Sequence, residues 1–341
     1  MRVAIASGKG GTGKTTIATS LAAVAARSGA TTVYLDCDVE EPNGHLFLNP
    51  EIVRESVVER QVPRIDPAKC QHCGECTRFC RFGAMACRGE QTLIDDELCH
   101  SCGGCALVCP SGAITEVQHP VGVLNTGAAG SIRFVSGTLN VGEPSSLPVI
   151  RAVKQAAPPA DWTFLDAPHG TSSPIVESLR GCDFLLLVTE PTSFGLHDLR
   201  LALDLAKSAK RGCGVVINRA LVGHPEARQL CQQARISILA EIPDNMAVAE
   251  ACSEGQLAVE AVPGLRRIFA LLLLRLAAAA NTDVLSGEAR RNLERWAEPG
   301  GEPSAPISQT PNASPPAVCY LALRNRKPNP SRHRAGSSPD K

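Results

Sequence analysis

The sequence has no net charge and no long apolar run. Its 34 acidic and 34 basic residues balance over 341 positions, so electrostatics gives no reason to expect a nucleic acid partner. The longest apolar stretch, Ile268 to Ala280, is too short to span a bilayer and contains Arg275. The first residues enter an apolar strand and lack the pattern of a secretory signal. We therefore expect a cytoplasmic protein without a transmembrane segment.

Cysteine, in contrast, is abundant. Fifteen are present, and in a chain expected in the cytoplasm this number favours metal or redox chemistry over disulfides. Eight of them form two runs of equal spacing, Cys70-x2-Cys73-x2-Cys76-x3-Cys80 and Cys99-x2-Cys102-x2-Cys105-x3-Cys109, and Pro110 follows the second run. This spacing is typical of two [4Fe–4S] clusters in which the fourth cysteine of each run binds the other cluster.

The expected ligand sets follow from that crossing of the two runs. The first cluster would be bound by Cys70, Cys73, Cys76 and Cys109, and the second by Cys99, Cys102, Cys105 and Cys80. Zinc is the alternative, but zinc sites usually combine two Cys-x2-Cys pairs separated by a dozen or more residues. The remaining cysteines, including Cys87 between the two runs, are expected to be non-ligands.

A glycine-rich loop lies near the N-terminus. The motif Gly8-x4-Gly13-Lys14-Thr15 stands between a predicted strand and a predicted helix, which is the context that a phosphate-binding loop requires. Its backbone N–H groups and the helix N-terminus would bind phosphates. Lys14 would contact the β- and γ-phosphates, and Thr15 would bind Mg²⁺.

Three acidic residues follow predicted strands. Asp36 and Asp38 come after the second strand, and Asp166 comes after a buried strand much later in the chain. Asp36 and Asp166 are candidates for Mg²⁺, and Asp38 is a candidate for orienting the attacking water.

The order of strand and helix signals predicts a parallel α/β sheet. The predicted strands are Val3–Ala6, Thr32–Leu35, Trp162–Leu165, Phe184–Val188, Gly214–Ile217 and Ser237–Ala240, and the predicted helices are Lys14–Ser28, Asp198–Ala209, Pro225–Ala234 and Leu265–Ala280. The alternation stops near Leu48 and resumes near Ile132. We therefore predict an α/β domain of residues 1–60 and 116–285, a cysteine-rich insertion of residues 61–115, and a disordered tail of residues 286–341.

The loop from Ser7 to Thr16, SGKGGTGKTT, resembles the deviant Walker loop of the MinD, ParA and nitrogenase iron-protein superfamily of ATPases. The likeness extends through the stretches LDCD at 35–38, LDAP at 165–168 and VINR at 216–219. With the cysteine runs, and with the stretches 142–144 and 189–199, the chain resembles the branch that carries an inserted ferredoxin domain. The resemblance implies a P-loop parallel sheet with helices on both faces and an inserted bacterial-type ferredoxin (α+β) domain.

The resemblance also implies roles for individual residues. ATP would be bound by the loop and by one distant residue, namely Gly8, Gly10, Gly11, Thr12, Gly13, Lys14, Thr15, Thr16 and Asn218. Lys9 would reach the phosphates of the other subunit in an ATP-dependent homodimer, Asp38 would act in hydrolysis together with Lys9 and Lys14, and Asn218 would recognise adenine. Related sequences tend to carry a cysteine where Ser173 stands, so a cluster shared between subunits is not expected.

Two main functions remain open at this point. The first is an ATP-hydrolysing iron–sulfur protein that couples nucleotide state to electron transfer or to docking with an unknown redox partner. The second is an accessory ATPase for the assembly or delivery of metal clusters. A third, a spatial regulator on a membrane, is disfavoured because the proline-rich C-terminal segment offers no clear amphipathic anchor.

Overall fold

Strands and helices alternate along most of the chain. The computed structural model describes residues 1–89, 91–209, 211–220 and 225–299. The strands are β1 (Arg2–Ala6), β2 (Thr32–Asp36), β3 (Glu51–Ile65), β4 (Met85–Arg88), β5 (Gln91–Ile94), β6 (Ile114–Ala129), β7 (Ile132–Leu139), β8 (Trp162–Asp166), β9 (Phe184–Thr189), β10 (Gly212–Ala220) and β11 (Ser237–Pro243). The helices are α1 (Lys14–Arg27), α2 (Gly44–Leu48), α3 (Glu75–Phe79), α4 (Gly104–Leu107), α5 (Leu147–Gln155), α6 (Ser173–Leu179), α7 (Ser193–Ala209), α8 (Glu226–Ala234), α9 (Met246–Ser253), α10 (Ala258–Ala261), α11 (Leu265–Ala279) and α12 (Gly287–Ala297).

Nine of these strands form one sheet in the order β11-β10-β9-β1-β8-β2-β7-β6-β3. From β11 to β7 every neighbouring pair is parallel, and β6 and β3 are added antiparallel at one edge. The central strands are continuous apolar runs buried along their whole length, as in β9, which is typical of a parallel sheet covered on both faces. All six predicted strands and the parallel α/β class are confirmed.

Helices cover both faces of the sheet, as predicted. Along β1, Val3 and Ile5 face one apolar core, whereas Ala4 and Ala6 face the other, because side chains alternate along a strand. The first core is completed by α1, α11 and α12, and the second by α5, α6, α7 and α8. The phosphate loop therefore starts from a strand that is fixed on both sides.

The predicted insertion is joined to the sheet by a long antiparallel ribbon. Strands β3 and β6 pair from Glu51↔Ala128 to Ile65↔Ile114, with register shifts between Ile52 and Arg54 and between Val58 and Glu59. Strand β6 also pairs with β7. The predicted boundaries at residues 61 and 115 thus fall inside these two strands. The cysteine segment proper lies between Ile65 and Ile114, and it contains α3, α4 and the β4–β5 hairpin.

The predicted disordered tail begins too early. Residues 287–297 form α12, whose first turn is capped by Ser286 Oγ accepting a hydrogen bond from the Ala289 N–H at 3.1 Å. Ala289, Leu293 and Trp296 lie on one face of the helix and are buried in the first core. Residues 300–341 of the predicted tail lie outside the described residues. In the described ranges no helix is long and apolar enough to cross a bilayer.

The buried face of α12 gives a test of this correction. Replacing Trp296 with Ala would leave a large cavity against α11, so we expect a loss of about 3–5 kcal/mol in the free energy of unfolding. Glu294→Ala, at an exposed position of the same helix, should change it little. Urea denaturation followed by circular dichroism measures both, and equal stability of the two variants would contradict the packing of α12.

Candidate functional site

The glycine-rich loop connects β1 to α1 and is curled tightly. Gly11 and Gly13 have φ angles of 78° and 89°, a region that favours glycine. A Cβ atom on Gly13 would lie 2.4 Å from Asn218 Nδ2, so a side chain could not be placed there. Ser7 Oγ donates to the Lys9 carbonyl at 2.5 Å. The loop is therefore held with the N-terminus of α1 directly behind it, which favours an anion.

Asn218 contacts the loop itself. Its Nδ2 donates to the Thr12 carbonyl at 2.8 Å, which joins β10 to the phosphate loop across the sheet. The Thr12 hydroxyl is buried and lacks a hydrogen-bond partner among the described residues. The resemblance assigned Asn218 to adenine, and the structure shows that this amide also fixes the loop.

Asp36 and Asp166 lie side by side at the carboxyl ends of β2 and β8, where they are register partners. Both are fully buried. Asp36 accepts hydrogen bonds from the Gly44 N–H at 2.9 Å and the Asp38 N–H at 3.3 Å. Asp166 Oδ2 accepts from the Tyr34 hydroxyl at 3.0 Å, and its Oδ1 is buried and without a partner among the described residues.

The electrostatics of this pair suit a cation. Burial raises the pKa of Asp36 well above its usual range, and the neighbouring Asp166 raises it further. Burial also raises the pKa of Asp166 to about 6, although hydrogen bonds from Thr15 and Tyr34 and the charge of Lys14 oppose the shift. An oxygen-rich site with one orphaned carboxylate oxygen fits Mg²⁺, which prefers carboxylate, hydroxyl and water ligands.

A cavity of about 390 Å³ opens beside the loop and these acids. One end is lined by the loop from Gly10 to Thr16 and by Asp38. Burial raises the pKa of Asp38, and the charges of Lys14 and His169 counteract that effect. The size is that of a small-ligand site, and Lys14, Thr15 and Asp38 all line it.

Only some of the residues at the other end of the cavity could be predicted from the sequence. Asn218, to which the resemblance assigned adenine, lies there with Pro243 and Asp244. The apolar part of the wall comes from α9 and α11, including Val248, Leu265 and Phe269. These residues belong to no motif and are distant in the chain, so only the folded arrangement reveals them. They offer a surface against which a flat aromatic base could pack.

Lys9 does not line this cavity. Its ammonium lies 3.4 Å from Glu190 Oε2, and Arg219 Nη1 lies 2.7 Å from Glu190 Oε1. Glu190 is buried, and these two cations offset its charge. The glycine-rich motif did not predict the pairing of Lys9 with Glu190.

The cysteine segment consists of two equivalent halves offset by 29 residues. Non-glycine residues with positive φ stand at matching places, His72 and Ser101, just before matching glycines, Gly74 and Gly103. The Asp66 N–H donates to the Ala113 carbonyl at 2.8 Å, and its counterpart Asp95 donates to Ala84 at 2.9 Å. The start of each half is thus hydrogen-bonded to the end of the other half.

The four cysteines of the expected second cluster line one cavity. Cys80, Cys99, Cys102 and Cys105 surround it together with apolar residues, namely Phe79, Phe82, Ala84 and Met85. Of the expected first set, Cys76 and Cys109 pack in an apolar cluster that includes Met85 and Ile114, and Cys70 Sγ lies 3.9 Å from Thr92 Oγ1. Cys73 and Cys102 are exposed. The apolar surroundings and thiol donors fit iron–sulfur clusters.

The thiols are not already arranged as a closed metal site. Within the described ranges no three side chains of His, Cys, Asp or Glu converge closely enough to hold a single ion. Burial raises the pKa of Cys105 to about 11, so a bound cation is needed to stabilise its thiolate at neutral pH.

Comparisons with known proteins place most of the chain in one family. A family model described as the CobQ/CobB/MinD/ParA nucleotide binding domain matches residues 3–259. An uncharacterised protein of Methanocaldococcus jannaschii is 34% identical over 215 residues, covering 59% of this chain and 72% of that protein. A second uncharacterised protein of the same organism is 28% identical over 224 residues, covering 64% and 80%.

Solved structures resemble the chain more distantly. The septum site-determining protein MinD of Pyrococcus horikoshii, solved with Mg-ADP, is 19% identical with a TM-score of 0.48. The match covers 81% of this chain and 95% of that one.

The raised pKa of Asp166 predicts a pH-dependent stability. Its pKa is about 6 in the folded protein and 3.8 in its ordinary environment. Between these values the folded state binds more protons than the unfolded state, so stability falls as pH rises through this window. Asp166→Asn should therefore stabilise the metal-free protein by about 3 kcal/mol at pH 8 and hardly at all at pH 3.5.

Thermal unfolding of nucleotide-free protein in a chelator measures this difference. Asp283→Asn, a change at an exposed carboxylate, is the matched control and should have little effect at either pH. A stabilisation by Asp166→Asn that is equal at both pH values would show that Asp166 does not carry the buried charge.

Proposed function

Because the chain belongs to the CobQ/CobB/MinD/ParA nucleotide-binding family, we propose that it is a Mg²⁺-dependent ATPase whose nucleotide state is coupled to two [4Fe–4S] clusters. The observation that carries the first half is the meeting of Lys14, Thr15 and Asp38 in one cavity beside the buried Asp166. The second half rests on the duplicated cysteine loops. In this proposal residues 61–115 form a ferredoxin-like module, and residues 1–60 and 116–285 form the ATPase domain.

The residues of the loop have separate tasks in ATP hydrolysis. Backbone N–H groups from Gly8 to Thr16 bind the phosphates, and Lys14 stabilises the charge on the transferring phosphoryl group. Asp38 orients the attacking water. Thr15 would hold Mg²⁺ directly, with Asp36 and Asp166 acting through water, and the cation would supply further positive charge at the phosphates.

ATP would also close a homodimer. The Lys9 ammonium is partly exposed and, among the described residues, pairs with the buried Glu190. Phosphates brought by a second copy of the chain would offer it a stronger anionic partner. Lys9 would then leave Glu190, which retains Arg219 at 2.7 Å, so the change leaves no carboxylate without a counter-charge.

Each cluster would act as a one-electron store. The exposed positions of Cys73 and Cys102 would bring both clusters to the surface of the cysteine segment, where a redox partner could dock. The same exposure supports the alternative, an accessory ATPase that assembles or delivers clusters. Transfer of intact clusters to an apo-protein favours the alternative, and reduction of a partner without cluster loss favours electron transfer.

ATP binding should depend on Lys14. Removing its ammonium deletes a charged hydrogen bond to phosphate, so we expect Lys14→Ala to weaken ATP binding by about 10- to 100-fold. Lys207→Ala, at an exposed lysine of α7, should bind ATP normally. Calorimetric titration with Mg-ATP compares them, and equal affinities would refute the assignment of the phosphate loop.

Iron and sulfide content tests the cysteine assignment. Anaerobically prepared protein should contain about eight irons and eight sulfides per chain. Cys102→Ala should lose about half of both, whereas Cys87→Ala should lose neither, because Cys87 lies outside both ligand sets. Stoichiometric zinc without sulfide would reject the clusters and leave the ATPase proposal standing.

A further inference from the structure

One buried arginine holds only one of the two cysteine loops. Arg60 lies in β3 and is 6% exposed. Its Nη1 donates to the Cys99 carbonyl at 2.8 Å and to Ser101 Oγ at 3.2 Å, and its Nη2 donates to the Asp96 carbonyl at 2.7 Å. Three of its hydrogen bonds thus fix the backbone and side chain of the loop that carries Cys99 and Cys102.

The same guanidinium also forms an ion pair with a residue of the proposed ATPase domain. Arg60 Nε lies 3.1 Å from Glu143 Oε2, and Glu143 Oε1 lies 2.9 Å from His119 Nε2. Glu143 is in the loop that follows β7, and its side chain is almost fully buried. Because both side chains are buried, removing either one would leave an unpaired charge, so Arg60 links β3 to the loop of Glu143.

The other half of the cysteine segment has a different residue here. The position that corresponds to Arg60 in the duplication is Gly89, which has no side chain to donate. Cys70 Sγ instead lies 3.7 Å from His72 Nδ1. The two halves therefore share their loop geometry and differ in this attachment.

The loop of Glu143 borders segments that follow the nucleotide-site acids. It lines a cavity of about 500 Å³ together with Glu40, Ser172 and His100. Glu40 stands two residues after Asp38, and Ser172 precedes α6 in the loop that follows Asp166. His100 lies between Cys99 and Cys102, and its ring stacks on Phe82 at 4.0 Å. The loop of Glu143, the segments that follow Asp38 and Asp166, and the loop of Cys99 and Cys102 thus border one cavity.

We propose that Arg60 is a positioning residue that couples the loop of Glu143 to the loop of Cys99 and Cys102, so that only the second cluster responds to nucleotide. This inference rests on the proposed two-cluster function. Its guanidinium binds two carbonyls of the loop, so a movement of Glu143 changes both the loop and the positive charge beside it. Positive charge stabilises a reduced cluster, which carries one more negative charge than the oxidised form.

The experiment uses the full chain, reconstituted anaerobically, with iron and sulfide counted first. Single-cluster backgrounds separate the two signals: Cys73→Ala retains the second cluster, and Cys102→Ala retains the first. Arg60→Met is compared with Arg64→Met. Arg64 is the matched control because it binds the Asp96 carboxylate at 2.7 and 2.8 Å from the same strand, is 44% exposed, and does not contact the Cys99 loop carbonyls. Redox titrations followed by electron paramagnetic resonance are run with and without a non-hydrolysable ATP analogue and Mg²⁺.

In the Cys73→Ala background, Arg60→Met should lower the ratio of reduced to oxidised cluster at a fixed potential about tenfold, which is about 59 mV for one electron. In the same background, Arg60→Met should also abolish the shift in reduction potential that the ATP analogue causes. In the Cys102→Ala background, neither Arg60→Met nor the analogue should change the titration. In the Cys73→Ala background, Arg64→Met should leave the shift that the analogue causes unchanged. A nucleotide shift that survives Arg60→Met, or that appears on the first cluster, overturns the proposal.

A second measurement does not require clusters. In metal-free protein, Cys99 is 8% exposed, and we expect Arg60→Met to increase its alkylation rate, measured by mass spectrometry, at least severalfold over both wild type and Arg64→Met. Equal rates would show that Arg60 does not position this loop. If wild type binds no iron and sulfide, the proposed cluster function fails, and the alkylation rates alone decide the role of Arg60.

Discussion

Two carboxylates, Asp36 and Asp166, are buried side by side at the ends of adjacent parallel strands, and the rest of the site is arranged around them. Their mutual repulsion and burial oppose ionisation. Backbone N–H groups, the Tyr34 hydroxyl and Lys14 offset this cost only in part. A cation brought in with a nucleotide would remove this cost, and the proposed ligand binding would then be linked to the local stability of β2 and β8.

The strands and the phosphate loop could be predicted because their signals are local. Buried parallel strands appear in a sequence as short apolar runs, and a glycine-rich turn between a strand and a helix commonly binds phosphate. The adjacency of Asp36 and Asp166 depends on strand order, which no local pattern encodes. The pairing of Lys9 with Glu190 likewise joins residues from distant strands, and α12 was missed because most of its residues are polar.

The cysteine segment shows the same division between local and non-local information. Spacing alone predicted two equivalent loops, and the matching positive φ angles at His72 and Ser101 agree with it. The ribbon that carries the segment was not predicted. Strand β3 is largely exposed and mixes charged with apolar residues, so its pairing with β6, some sixty residues away, leaves no clear periodic signal.

This ribbon determines how the two parts of the molecule can influence each other. A flexible linker would let a cysteine module move independently of the nucleotide site. Here β3 and β6 run directly from the main sheet to the cysteine loops, and their pairing is irregular at two points, between Ile52 and Arg54 and between Val58 and Glu59. Irregularities of this kind bend a pair of strands. Arg60 follows the second one and pairs with Glu143 in the loop after β7, whereas the corresponding position in the other half, Gly89, has no side chain. Arg60 therefore contacts only one of two similar cysteine loops, and this difference would let the second cluster respond to nucleotide while the first does not.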